Sequence, residues 1–77
     1  MDEFSVCQFF SNGQYEYLRR FVSAEEAMLA FQRYTASVGA MIGTTQRVII
    51  TDSGDSINME WIFGKGITFP VSQIQVR

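Results

Sequence analysis

Apolar and polar positions change period twice along the chain, from strand to helix and back to strand. Phe4-Ser5-Val6-Cys7-Gln8-Phe9-Phe10 is rich in aromatic and β-branched residues and predicts a strand. Ser11-Asn12-Gly13-Gln14 follows, and Tyr15-Glu16-Tyr17-Leu18-Arg19-Arg20-Phe21-Val22 predicts its returning partner. Asn-Gly suits the two central positions of a type I′ turn, which both need positive φ. With Asn12 and Gly13 as a two-residue loop, Phe10 faces Tyr15, Gln8 faces Tyr17, Val6 faces Arg19 and Phe4 faces Phe21.

Ser23-Ala24-Glu25-Glu26 then reads as a capping box. The Ser23 hydroxyl accepts from the Glu26 N–H, and the Glu26 carboxylate reaches back to the Ser23 N–H. From there Ala24, Ala27, Met28, Phe31, Thr35 and Val38 recur at steps of three and four, one stripe of a helix over residues 24–38 that Gly39 closes. Leu29 falls off the stripe.

Beyond Gly39-Ala40-Met41-Ile42-Gly43-Thr44 the period returns to two. Gln46-Arg47-Val48-Ile49-Ile50-Thr51 and Ile57-Asn58-Met59-Glu60-Trp61-Ile62-Phe63 flank Asp52-Ser53-Gly54-Asp55-Ser56. A Ser53-Gly54 loop pairs Ile50 with Ile57, Val48 with Met59 and Arg47 with Glu60, so apolar matching and charge matching agree. Gly64-Lys65-Gly66 breaks the run. Ile67, Phe69, Val71, Ile74 and Val76 again alternate, and Pro70 confines any strand here to a sheet edge.

The order strand-strand-helix-strand-strand predicts an α+β two-layer sandwich, in which one helix covers one face of a four-stranded antiparallel sheet. A fifth strand at the C-terminal end is an edge strand or a swapped arm. The whole chain, 1–77, reads as one domain, with a ββαββ core over 1–63 and an extended tail over 64–77. The helix claims Phe4, Val6, Phe10, Tyr17, Phe21, Val48, Ile50, Met59 and Trp61. Cys7, Phe9, Leu18, Ile49 and Ile62 are left on the opposite face, an apolar patch of the kind that marks an interface.

Composition narrows the function. At 47% hydrophobic and 18% charged residues the chain belongs to the folded class. Its net charge of -2 argues against a general nucleic-acid binder. No histidine is present, which removes the commonest general base and transition-metal ligand. A single cysteine forms no internal disulfide, the acidic Met1-Asp2-Glu3 is unlike a signal peptide, and no stretch nears the ~20 apolar residues of a membrane span. The expectation is a soluble cytoplasmic protein with no membrane role.

Each candidate for chemistry has a simpler explanation. Asp52, Asp55 and Glu60 include two residues that a polar turn uses in any case. Cys7 has no base to make it a nucleophile, and Arg20 is its nearest cation in the expected register. Gly64-Lys65-Gly66 lacks the spacing of a phosphate loop. Arg19 and Arg20 beside Tyr15, Tyr17 and Phe21 resemble a base-stacking surface in composition only, since adjacent strand residues point to opposite faces. No catalytic, cofactor or metal residue is therefore expected.

The resulting expectation is a small non-enzymatic interaction protein. It self-associates as a homodimer through the helix-free sheet face, with Cys7, Phe9, Leu18, Leu29, Ile49 and Ile62 at the interface, or through an edge strand. A heteromeric protein partner fits the same face. The alternative is a small apolar-ligand-binding domain with Tyr34, Met41, Ile42, Trp61 and Phe69 around a pocket between helix and sheet.

Overall fold

The computed structural model describes residues 2–70. Five antiparallel strands form one sheet: β1 Phe4–Phe10, β2 Tyr15–Val22, β3 Thr45–Thr51, β4 Ile57–Ile62 and β5 Gly66–Phe69. Their order is β2-β1-β3-β4-β5. The connection from β2 carries two helices, α1 Ala24–Thr35 and α2 Val38–Ile42, and returns the chain beside β1. α1 packs across β1, β2 and β3. The fold is the expected α+β sandwich in ββαββ order, and the fifth strand is an edge strand ending just before Pro70. The alternation expected at Ile74 and Val76 lies outside the described residues.

The core sits where α1 crosses the two central strands. Val6, Val48, Ile50, Ala27, Ala30 and Phe31 are buried there, with Phe4, Leu18, Val22, Met28, Met59 and Trp61 packed around them. Ser23 caps α1 and its Oγ accepts from the Glu26 N–H at 3.1 Å. The helix ends earlier than its stripe implied. The Ser37 hydroxyl donates to the Tyr34 carbonyl and accepts from the Ala40 N–H, so it stops α1 and caps α2. A serine hydroxyl competes with the helical ladder in this way. The left-handed closing residue is Gly43, at φ 92, rather than Gly39. Val38 consequently leaves the core and is exposed.

Both long hairpins differ from expectation by one residue in the loop. The Phe10 N–H donates to the Gln14 carbonyl and the Gly13 N–H to the Phe10 carbonyl, a three-residue loop with Gly13 alone at positive φ. The second hairpin repeats the pattern: Asp52 N–H to Ser56, Asp55 N–H to Asp52, and Asp55 at φ 62. A type I turn followed by one left-handed residue is a common alternative to the two-residue loop.

The consequences for the two hairpins differ. In the first, the pairs are Phe9 with Tyr15, Gln8 with Glu16 and Cys7 with Tyr17. Tyr15 and Tyr17 therefore move to the helix-free face, because a one-residue slip reverses every side chain. A bulge then restores the Val6–Arg19 pair and turns Leu18 toward the core. In the second, the loop and an irregularity between Ile50 and Thr51 together displace the register by two. Val48 opposes Trp61 and Ile50 opposes Met59, and the expected faces survive.

Candidate functional site

The helix-free face gathers residues from three adjacent strands. Cys7 and Phe9 of β1, Tyr15 and Tyr17 of β2, and Ile49 and Thr51 of β3 line a shallow depression of about 130 Å³. Cys7 and Ile49 form its buried floor, while Tyr15 and Tyr17 are 62% and 45% exposed. The rings make a series: Phe9 and Tyr15 have centroids 5.8 Å apart, and Tyr15 and Tyr17 meet edge to face at 6.1 Å. Two guanidiniums extend it. Arg20 lies 4.1 Å from the Tyr17 centroid and 5.1 Å from that of Phe21, and Arg47 lies 5.0 Å from that of Phe9.

Strand alternation after the Val6–Arg19 pair puts Arg20 on this face, and a second bulge follows it. Between the Val6–Arg19 and Phe4–Val22 pairs β2 carries one extra residue, and Phe21 adopts φ 56. The Phe21 N–H, freed from the ladder, donates to the Ser5 hydroxyl at 3.3 Å. Further across the face Arg47 pairs with Glu60, whose other oxygen accepts from the Thr68 hydroxyl at 2.7 Å. The Thr68 bond, reinforced by Arg47, holds the Glu60 carboxyl below its ordinary range.

Of the residues expected at an interface, Cys7, Phe9, Ile49 and Ile62 share this face, since Ile62 opposes Arg47. Leu18 lies on the helix side against the core, and Leu29 lies exposed on α1 rather than on the open sheet face. Arg20 and Arg47 lie on this face as the expected register had them, Tyr15 and Tyr17 are the additions, and the loop length was the only signal that could have found the tyrosines. The residues expected around an apolar pocket are dispersed. Met41 and Ile42 are 72% and 70% exposed on α2, Trp61 packs on the core from β4, Phe69 ends β5 and Tyr34 sits late on α1. An apolar groove of about 200 Å³ on the helix side is lined by other residues, Phe4, Ala24, Met28, Ile50, Asn58 and Met59.

The polar candidates have structural duties. Asp52 organises its loop by accepting from the Gly54 and Ser56 N–H groups and the Asn58 amide. These bonds, the Asn58 one foremost, lower its pKa. Burial pushes the Cys7 thiol up, against the opposing pull of the Glu16 backbone and of Arg47 and Arg20, so Cys7 is held as a neutral thiol. Among the described residues no three His, Cys, Asp or Glu side chains gather around one point. No helix among them is long and apolar enough to cross a membrane. Comparison with family models, curated proteins and solved structures finds no match to this chain.

Proposed function

We propose that this is a small non-enzymatic interaction protein of a reducing, cytoplasmic compartment, and that its helix-free sheet face pairs with a second copy of itself. The observation that carries the reading is the continuous Phe9–Tyr15–Tyr17 ring series with Arg20 and Arg47 against it. Tyrosine, phenylalanine and arginine are enriched at interface centres; the rings offer large contact areas for few rotatable bonds, and arginine adds a planar donor that stacks on them. The one carboxylate identified on the face, Glu60, is already paired with Arg47 and hydrogen-bonded by the Thr68 hydroxyl. A two-fold dimer needs one self-complementary patch, and rings beside guanidiniums complement themselves.

The test is solution mass by light scattering at micromolar to high-micromolar protein, for the wild type, Tyr17→Glu and Ile49→Glu. The expected result is a wild-type dimer of 8.8 kDa chains that both substitutions convert to a folded monomer. A wild-type monomer throughout that range overturns self-association. A dimer indifferent to both substitutions moves the contact to an edge strand, β2 or β5.

A further inference from the structure

On the opposite side of the sheet, α1 and β2 leave between them a groove of about 400 Å³, lined by Arg19, Glu26, Leu29, Ala30 and Arg33. Three features define this groove. Leu29 is 62% exposed although a leucine on α1 has a core available to it. Arg33 stands one turn beyond Leu29 on the same helix edge. Arg19 is turned to this side by the bulge that restores its pairing with Val6, and its Nη1 donates to the Leu18 carbonyl at 2.6 Å, which steadies the guanidinium.

Among the described residues neither arginine has a counter-ion. The only ion pair among the described residues joins Arg47 to Glu60, and Glu26 reaches neither Arg19 nor Arg33. The Glu26 side chain lies at the far end instead, seven residues before Arg33 and therefore about 10 Å away along the helix axis. The groove thus combines two guanidiniums that have no ion pair among the described residues, an apolar stretch at Leu29 and Ala30, and a carboxylate about two helical turns from Arg33.

We infer that this groove binds a small amphiphilic anion, an aliphatic monocarboxylate, with its carboxylate between Arg19 and Arg33 and its chain along Leu29 and Ala30. Guanidiniums grip a carboxylate through paired N–H donors, and water leaves an aliphatic chain laid on Leu29. Glu26 adds selectivity, because a second negative charge at the far end of the ligand meets its carboxylate. A volume of this size holds a ligand of modest length.

Octanoate is the probe, titrated into ¹⁵N-labelled protein and followed by amide shifts, with 1-octanol and the dicarboxylate suberate as comparisons. Octanoate is expected to shift the Leu29, Ala30 and Arg33 amides saturably, with Kd on the order of 1 mM, as befits a small ligand in an open groove. Arg19→Gln and Arg33→Gln, each with a spectrum that stays folded, are expected to weaken it about tenfold. Suberate is expected to bind more weakly than octanoate, and Glu26→Gln to remove that difference. Absence of saturable shifts, equal shifts from 1-octanol, or arginine variants that bind as the wild type each overturn the inference. The groove lies across the sheet from the dimer face, so these outcomes do not depend on the oligomeric state.

Discussion

Arg47 and Glu60 form their ion pair on a diagonal of the sheet: Arg47 stands opposite Ile62, and Glu60 stands opposite Ile49. The two charges meet although the register is displaced by two residues from the one that sets them face to face. Diagonal neighbours on one face of an antiparallel pair lie within reach of long side chains. The Thr68 hydroxyl from β5 completes the site, so Glu60 ties three consecutive strands together.

A pH dependence follows from that tie. The Glu60 pKa is lowered in the folded protein from the ordinary 4.5, first by Thr68 and then by Arg47, so its charged form stabilises the fold. A group of this kind contributes fully above its unfolded pKa and loses its contribution as pH falls through the folded value. Urea titrations of the wild type and Glu60→Gln are expected to differ by about 1–2 kcal/mol at pH 7. The gap should begin to close below pH 4.5 and vanish once Glu60 is protonated in both states. A gap that stays constant down to pH 2.5 would contradict this assignment.

Phe31 and Leu29 stand two residues apart on α1 with opposite fates, one at 2% exposure and the other at 62%. Phe31→Ala is expected to cost about 3–5 kcal/mol, since it leaves a cavity between α1 and the central strands. That is much of the roughly 4–11 kcal/mol available to a chain of this length. Leu29→Ala should change stability by less than about 0.5 kcal/mol. Thermal melts of both variants check the contrast.

Gly43 and Gly64 share a left-handed backbone but not surroundings. A Cβ on Gly43 meets Phe63 ring carbons at 3.2 and 3.3 Å, whereas one on Gly64 meets nothing within 4 Å. Gly64→Ala is expected to cost about 1 kcal/mol for backbone strain alone, and Gly43→Ala about 2 kcal/mol. Adding Phe63→Leu to Gly43→Ala should recover part of the loss. Equal costs for the two glycine substitutions would show that the Phe63 contact is slack.

Cys7 is expected to be unreactive. Its thiol is buried on the floor of the ring depression, with its pKa raised. Alkylation by iodoacetamide at pH 8 should run at least about tenfold slower in the native protein than in urea, since the thiolate is the nucleophile. A native rate matching the unfolded one would mean that the face opens readily.

Where near neighbours decide a conformation, the amino-acid pattern is enough. The Ser23 cap, the α1 face around Ala27, Met28 and Phe31, the strands, and turns at Ser11–Gly13 and Asp52–Asp55 all rest on contacts within a few residues. Which face a strand residue occupies depends on accumulated offsets instead. Asn12-Gly13 is compatible with a two- or a three-residue loop, and Asp52 to Ser56 is equally tolerant, so each hairpin could slip by one at little local cost. In the second hairpin a further irregularity cancels the slip in parity; in the first, the bulge at Leu18 comes only after Tyr15 and Tyr17 have changed sides. Tertiary packing makes that choice. Placing Leu18 against the buried cluster removes an alkyl group from water, while Tyr15 and Tyr17 stay exposed on the open face. The exposed Phe9–Tyr15–Tyr17 ring series exists because of that exchange.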